Sequence, residues 1–189
     1  MRTGSILSPV TALLLACMAM APGQAAADPD AEQDEREIEA LKAAAGAPLT
    51  PDDALDPKQI GQRIRWAGGV YSISPSEQGI CVTILYARSG EYGEPRWTPE
   101  PTYQTFVACT EGSYDPELVH DYTNVTIVGT VTGKRYIGMG GGGSEGPVVT
   151  IERLYRWSDC LAGDDSAVCR HGFLEPVPIG DGPDAKSDD

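Results

Sequence analysis

Few residues in this chain have a type and a spacing that would support catalysis. The two histidines, His120 and His171, lie at no recognisable spacing from a serine or cysteine nucleophile. The glycine run at 140–144 lacks the Gly-Lys-Ser/Thr ending and the strand-to-helix context of a phosphate-binding loop. We therefore expect that the protein is not an enzyme, and we interpret the glycine run as a flexible connection between two strands.

Composition and spacing also argue against several kinds of ligand. The chain has 14 Lys+Arg against 28 Asp+Glu, a formal charge of −14, whereas the phosphates of a nucleic acid require a basic face. It contains no CxxC or HxxxH pair that would hold zinc, and the acidic residues at 111–121 lack the ligand spacing of a calcium loop. We expect no nucleic acid partner, no metal and no cofactor.

The cysteines predict two disulfides. Apart from Cys17, the chain has an even number of cysteines, as is typical of an oxidising compartment, and four cysteines allow three connectivities. If the second and third predicted strands pair in an antiparallel register, Cys81 lies opposite Cys109. We therefore predict the pairs Cys81–Cys109 and Cys160–Cys169. Loops of these lengths, once closed, stabilise a fold by roughly 3.6 and 2.7 kcal/mol on a chain-entropy estimate.

The first residues have the features of an export signal. Arg2 supplies a positive charge, and the apolar segment from Ile6 to Ala16 is shorter than the roughly 20 residues of a membrane-spanning helix. Two processing sites compete. A lipobox at 14–17 would end the signal at residue 16 and place a lipid on Cys17, whereas the small residues at 25–27 would end an ordinary signal peptide at Ala27.

An acidic segment separates the signal from the first predicted strand. Residues 17–58 have helix-forming composition at 30–45, but only Ile38 and Leu41 offer a side that could be buried. We interpret this segment as a partly helical, solvated spacer.

Strand periodicity dominates the residues at 59–157. The predicted strands lie at about 63–70, 81–87, 103–109, 124–131 and 148–157. Gly68 and Gly69 predict a bulge or a sharp bend, and Asp115-Pro116 predicts a short helical turn through about His120. Five strands with a helical turn between the third and fourth predict an all-β fold, a small OB-like Greek-key barrel. Beyond it we expect a disulfide-pinned extension at 158–177 and a disordered acidic tail at 178–189.

Aromatic side chains are the candidates for a binding site. Trp97, Tyr103 and Tyr155 could form a ligand groove on the OB-like face, where flat rings stack against a ligand. The negative charge opposes an oligonucleotide but is compatible with a sugar or a peptide. Packing in the core is the alternative role for the same side chains.

Several short segments resemble, in their order and spacing, the Slp family, the starvation-inducible outer-membrane lipoproteins of Gram-negative bacteria. The resemblance covers about residues 60–157. It is carried by the segments Arg65-Trp66-Ala67-Gly68-Gly69-Val70, Asp115-Pro116, Val125-Thr126-Ile127-Val128-Gly129-Thr130-Val131-Thr132-Gly133, Pro147-Val148-Val149 and Leu154-Tyr155-Arg156-Trp157. The chain departs from the family pattern at Ala67, in the glycine run, in its four paired cysteines and in the tail beyond Trp157.

The resemblance implies a non-enzymatic lipoprotein that is anchored in the outer membrane through Cys17 and faces the periplasm. Met18, rather than aspartate, follows Cys17, which agrees with sorting to the outer membrane. The implied role is envelope maintenance or stress adaptation through binding of an unidentified partner. Two alternatives stay open: a soluble periplasmic or secreted binding module cleaved after Ala27, and a hydrolase of envelope substrates.

Overall fold

The computed structural model describes residues 29–99, 103–158, 160, 164 and 166–179. One α-helix, α1, spans Pro29–Ala43, and short 3-10 helices span Asp53–Leu55, Pro57–Gln59 and Ala167–Cys169. The strands are β1 (Arg63–Pro75), β2 (Gly79–Ser89), β3 (Pro95–Arg96), β4 (Thr105–Glu111), β5 (Asn124–Met139), β6 (Gly142–Arg156) and β7 (Gly172–Leu174). Among the described residues, no helix is both long enough and apolar enough to cross a membrane. The predicted tail at 178–189 lies outside the described residues from 180 onward, as do the signal segment and Cys17.

The five long strands close into a barrel in the order β1-β2-β4-β6-β5, with β5 pairing back to β1. All neighbours are antiparallel except β4 and β6, which run parallel where Val107 pairs with Val148. An antiparallel meander of three strands followed by a returning hairpin is the arrangement of an OB-like Greek-key barrel. The predicted fold class is therefore confirmed.

Period-two alternation along β1 fills the barrel interior. Ile64, Trp66 and Val70 point inward and are almost completely buried. The Trp66 ring meets the edge of Phe106 at a centroid distance of 5.1 Å, and its Nε1 donates to the Leu49 carbonyl oxygen at 2.7 Å. This bond satisfies the one polar atom of a tryptophan whose ring anchors the core.

The glycine pair of β1 does not itself form the predicted bulge. Gly68 pairs with Tyr86 on one side and with Val125 on the other, so both edges of β1 are occupied at this point. A β-carbon at position 68 would lie 2.0 Å from the Leu85 carbonyl oxygen, so glycine is required by close packing. The register shift occurs two residues later, between Val70 and Ser72.

Helix α1 packs on the barrel, so its part of the acidic segment is not the solvated spacer expected from the sequence. Leu41 and Ala44 are buried against Val128 of β5 and Tyr155 of β6, and we call these four residues the covered face. Arg65 Nη1 also donates to the Leu41 carbonyl oxygen at 3.0 Å, so a hydrogen bond accompanies this narrow apolar contact. That bond satisfies a carbonyl near the helix C-terminus.

The glycine run at 140–144 is a hairpin rather than a flexible connection. β5 and β6 remain paired to Met139 and Gly142, and Gly141 has a φ of 93°, which lets two residues turn the chain. The extended hairpin curls over the outer face of β2 and β4, where Ile137 packs against Val107 and Cys81. Glycine-rich composition resembles that of a loop, which is why the strand bounds were wrong here.

The segments flanking the barrel are fastened to its end by hydrogen bonds. The predicted helical turn is a hydrogen-bonded turn in which the Val119 amide donates to the Asp115 carbonyl oxygen at 2.9 Å. Arg156 is buried and donates to the carbonyl oxygens of Leu118, Val168 and Arg170. It therefore joins this turn to the extension that contains β7.

Candidate functional site

Both predicted disulfides are present. Cys81 and Cys109 are direct partners across β2 and β4, with their Cα atoms 4.0 Å apart. Cys160 and Cys169 are joined with a Cα separation of 5.6 Å. Asp164 lies beside the second pair, but the sulfurs are bonded to each other and are not the thiolates that would ligate a metal.

Two of the three aromatic candidates meet at one pocket. Trp97 and Tyr103 are 47% and 53% exposed and line a pocket of about 260 Å³. Its remaining lining residues are Thr50, Tyr86, Ala87, Arg88, Arg96, Thr98 and Gln104. We call this the aromatic pocket. It lies at the end of β2, whereas the middle of the outer β2–β4 face is covered by the β5–β6 hairpin.

Local pairing holds the two rings at the mouth of this pocket. β3 pairs with Arg88 and Ser89, so Trp97, which follows β3 directly, is carried back over the barrel. A β-carbon at Gly69 would lie 3.2 Å from Trp97 Cζ2, so the absence of a side chain at Gly69 leaves room for the ring. Tyr103 sits just before β4, where the Tyr86 amide donates to the Gln104 carbonyl oxygen at 2.9 Å.

A second pocket of about 390 Å³ continues from the first. Thr50, Tyr86 and Arg88 line both, and Arg65 and Trp66 line the second, which we call the arginine pocket. Burial raises the pKa of Tyr86, while the positive charge of Arg88 acts in the opposite direction. The two pockets adjoin at these shared residues near the end of β2, and we call the pair the cleft.

Within the described part of the chain, the guanidinium of Arg65 is held by backbone carbonyl groups. Nη1 donates to the carbonyl oxygens of Leu41 and Lys42 at 3.0 and 3.3 Å, and Nη2 to that of Gly90 at 3.4 Å. Nε is buried and has no hydrogen-bond partner among the described residues. Burial lowers the pKa of Arg65, and the charge of Glu94 opposes that effect only in part.

Arg96 has a carboxylate partner at the rim. Its Nε and Nη2 donate to Glu94 Oε1 at 2.9 and 2.8 Å. Burial raises the pKa of Glu94, but hydrogen bonds from Arg96 and from backbone amides outweigh it, so the pKa is lowered overall. This ion pair links the two residues on either side of Pro95, and Trp97 follows directly after them.

Tyr155, the third aromatic candidate, does not reach the cleft. It is 1% exposed on the covered face, with its ring centroid 4.7 Å from Trp157 and 5.2 Å from Phe173. Burial, with smaller contributions from Glu37 and Asp34, raises its pKa to about 12. It therefore belongs to the packing of α1.

Neither histidine ring contacts a nucleophile in the described part of the chain. His171 Nε2 lies 3.0 Å from Asp34 Oδ2, and His120 Nδ1 lies 2.9 Å from the Asp121 carbonyl oxygen. The first contact ties the extension to α1, and the second lies within a surface loop. Their geometry favours structural roles.

The sequence interpretation missed the arginines and Tyr86. Arg65 and Tyr86 lie within strands, where alternation predicts only which side each occupies. The available signal was that Arg88 lies near the end of β2 and that Arg96 lies directly before Trp97 in the sequence. Basic residues beside aromatic ones were therefore recognisable in a chain that is otherwise acidic.

The fold and the cleft define a small, disulfide-bonded β-barrel protein with a ligand-sized cleft at one end. Residues 14–179 match the model of the outer membrane lipoprotein Slp family. Since the match covers most of the 189 residues, the chain belongs to this family, and the predicted resemblance is confirmed. No curated protein matches the chain. Family membership supports localisation at the outer membrane as a lipoprotein.

Proposed function

We propose that this protein is a non-enzymatic binding protein, anchored in the outer membrane by a lipid on Cys17, with its barrel in the periplasm. Its role is envelope maintenance or stress adaptation through a ligand held in the aromatic pocket. The observation that carries the binding role is the pairing of Trp97 and Tyr103, both about half-exposed, at the mouth of one pocket. Pockets with a few placed polar groups among aromatic side chains are typical ligand sites.

The anchor is supported by the lipobox at 14–17, which lies within the matched range of the family. A single acyl chain gives only marginal membrane binding, whereas several chains give stable retention because each buried methylene adds about 0.8 kcal/mol. A triacylated Cys17 would thus be sufficient for stable attachment.

Paired variants of the two processing sites test the anchor. We expect Cys17→Ala to remove the protein from the outer-membrane fraction and Ala27→Leu to leave its distribution unchanged. If cleavage occurs after Ala27, the result reverses: Cys17→Ala has no effect and Ala27→Leu blocks maturation. Persistence of the Cys17→Ala protein in the outer membrane would contradict the proposal.

Protease protection tests the orientation. In intact cells we expect the barrel to resist added protease, and after permeabilisation of the outer membrane we expect the exposed acidic and loop segments to be cut. Digestion in intact cells would place the barrel on the cell surface instead.

A panel of oligosaccharides and peptides, titrated into the mature protein, tests the binding role. Tyr103→Ala removes one of the two exposed rings that line the pocket and should abolish binding of whichever probe is held there. Tyr136→Ala is the matched control because Tyr136 is 68% exposed but lies on the β5–β6 hairpin. Equal loss in both variants, or in neither, would contradict binding at the aromatic pocket.

The second candidate is a soluble periplasmic or secreted binding module cleaved after Ala27. The small residues at 25–27 favour it. It would use the same cleft, so experiments on processing and the anchor, rather than on binding, separate the two candidates.

A further inference from the structure

We infer that the ligand of the aromatic pocket is a proline-rich segment of a partner polypeptide, bound in an extended conformation. This inference rests on the proposed binding role and names the chemical class of the ligand. It is drawn from two exposed rings, from hydrogen-bond donors that lack a partner, and from a segment of the chain itself that a second tryptophan binds.

Trp97 and Tyr103 present flat apolar surfaces at the mouth of the pocket. Both are about half-exposed, and Tyr86 lies with them in the lining. Proline-rich peptides already form the extended polyproline II helix before they bind, so little further ordering is needed when their rings pack on aromatic side chains. Grooves lined by aromatic side chains are common sites for such peptides. The exposed rings therefore suit proline as a packing partner.

The same side chains carry hydrogen-bond donors that the described part of the chain leaves unused. Trp97 Nε1 and Tyr103 Oη make no hydrogen bond there. Gln104 Oε1 accepts from the Asp52 amide at 3.4 Å, which leaves Nε2 of the same side chain to donate. An indole N–H and an amide NH₂ group only donate, so they require a ligand with exposed acceptors. Proline supplies a carbonyl oxygen and has no N–H of its own.

The arginines of the cleft already have partners within the chain. Arg96 donates to Glu94 through Nε and Nη2, and Arg88 is likewise engaged. Arg65 donates to backbone carbonyl oxygens. We therefore expect the part of the ligand that contacts the pocket to be uncharged, and to be recognised by packing and by neutral hydrogen bonds.

A segment of the chain itself shows how a tryptophan of this barrel binds a proline-containing peptide. Residues 48–51 have proline at both ends, and the Leu49 carbonyl oxygen accepts from Trp66 Nε1 at 2.7 Å. Leu49 lines the arginine pocket, and Tyr86, whose ring centroid is 6.3 Å from that of Trp66, lines both pockets. Trp97 carries the same donor at the adjoining pocket, where no carbonyl of the described chain accepts from it.

Capped neutral peptides test the inference. Octaproline and a glycine–serine octapeptide, both acetylated and amidated, are titrated calorimetrically into the mature, detergent-solubilised protein. We expect octaproline to bind at least about tenfold more tightly, because it is extended before binding and presents carbonyl groups between apolar rings. A tetrasaccharide of N-acetylglucosamine is titrated as a neutral probe of another class.

Conservative variants locate the donors. Trp97→Phe keeps an aromatic ring but removes the N–H, and it should weaken octaproline binding about fivefold, as the loss of one neutral hydrogen bond would. Tyr103→Phe is the second variant, which keeps the whole ring and removes the hydroxyl. Tyr136→Phe is the matched control because it removes an exposed hydroxyl from the β5–β6 hairpin and should leave the affinity unchanged.

The indole N–H resonances report the contact directly. In ¹H–¹⁵N correlation spectra, the signal that is lost in Trp97→Phe should shift when octaproline is added to the unsubstituted protein. The signal of Trp66, whose N–H is already bonded to the Leu49 carbonyl oxygen, should stay in place. A purely structural role of Trp97 would not produce this selective shift.

The outcomes separate the ligand class from the binding role. Equal affinity for the two peptides, or unchanged octaproline affinity in both Trp97→Phe and Tyr103→Phe, would overturn the inference. Tighter binding of the tetrasaccharide, abolished by Tyr103→Ala, would also overturn it and leave the proposed function standing. Failure of every probe to bind would overturn both the inference and the binding role of this pocket.

Discussion

Two aromatic regions of this molecule share the same residue types but have opposite relations to solvent. On the covered face, Tyr155 is 1% exposed because α1 lies over it, with Leu41 completely buried in the contact. At the aromatic pocket, Tyr103 is 53% exposed and no helix covers it among the described residues. The comparison shows that the element packed above an aromatic side chain, rather than the strand beside it, decides whether it stabilises the fold or is available to a ligand.

The segment that follows β2 contributes to both regions. At Gly93 the chain has a φ of 93°, and a β-carbon there would lie 3.2 Å from Leu41 Cγ, so glycine allows the segment to pass beneath α1. The Gly93 carbonyl oxygen accepts a bond of 2.6 Å from Thr126 Oγ1. Four residues later the same segment holds Trp97 at the open pocket. The segment after β2 thus packs beneath α1 beside the covered face and also forms the rim of the aromatic pocket.

The largest expected effect is on the covered face. Tyr155→Ala should lower the free energy of unfolding by about 3–5 kcal/mol, the usual cost of removing a buried aromatic side chain. Guanidinium denaturation measures the change. A loss below about 1 kcal/mol would mean that the face under α1 is not tightly packed in solution, and the comparison would fail.

Undocking α1 should convert the covered face into an exposed one. Leu41→Ala should weaken the docking of α1 on the barrel by about 3 kcal/mol. Amide hydrogens of α1 should then exchange faster than those of the barrel strands. Glu35→Ala, an exposed position on the same helix, is the control and should leave exchange unchanged. Uniform exchange across helix and barrel in Leu41→Ala would show instead that the two unfold as one unit.

High pH should weaken the covered face through Tyr155. Its pKa is raised to about 12 by burial, so the stability that depends on the protonated phenol is complete below pH 10, the ordinary pKa. As the pH rises from 10 toward 12, the unfolded chain releases its proton first, and stability falls by up to about 2–3 kcal/mol. Alkaline denaturation curves of Tyr155→Phe should show a shallower decline. An identical decline would contradict the assignment.

The smallest effect on stability is expected at the aromatic pocket. Tyr103→Ala should change the free energy of unfolding by no more than about 0.5 kcal/mol, as for most exposed positions, while abolishing ligand binding. Thermal and denaturant unfolding of Tyr103→Ala and Tyr155→Ala, measured side by side, compare the loss in free energy of unfolding at the two regions. A cost of several kcal/mol at Tyr103 would identify it as a core residue.

Local rules predicted much of the barrel from the sequence. Strand alternation places Ile64, Trp66 and Val70 of β1 on one face, which is the buried one, and an antiparallel register with Cys81 opposite Cys109 is the one that the structure has. Both inferences depend only on the period of a strand and on direct cross-strand pairing. The period of a strand and direct cross-strand pairing are reliable guides wherever two neighbouring strands are hydrogen-bonded to each other.

The remaining features depended on segments that are distant in sequence. Tyr155 and Tyr103 each belong to or border a strand, and nothing local indicates that α1, more than a hundred residues earlier than Tyr155, covers one and leaves the other open. The glycine run was mistaken for a loop because a tight hairpin and a flexible connection have similar composition. Arg65 Nη1 donates to the Leu41 carbonyl oxygen near the end of α1, and strand periodicity carries no information about that contact.

The intact mass of the mature protein, extracted from membranes of a Gram-negative host, tests most directly whether the barrel is anchored to the membrane by a lipid on Cys17. We expect a chain that begins at Cys17 and carries a diacylglyceryl group and an amide-linked acyl chain. An unmodified chain that begins at Asp28 would contradict it and would make the protein a soluble periplasmic or secreted module with the same barrel and cleft.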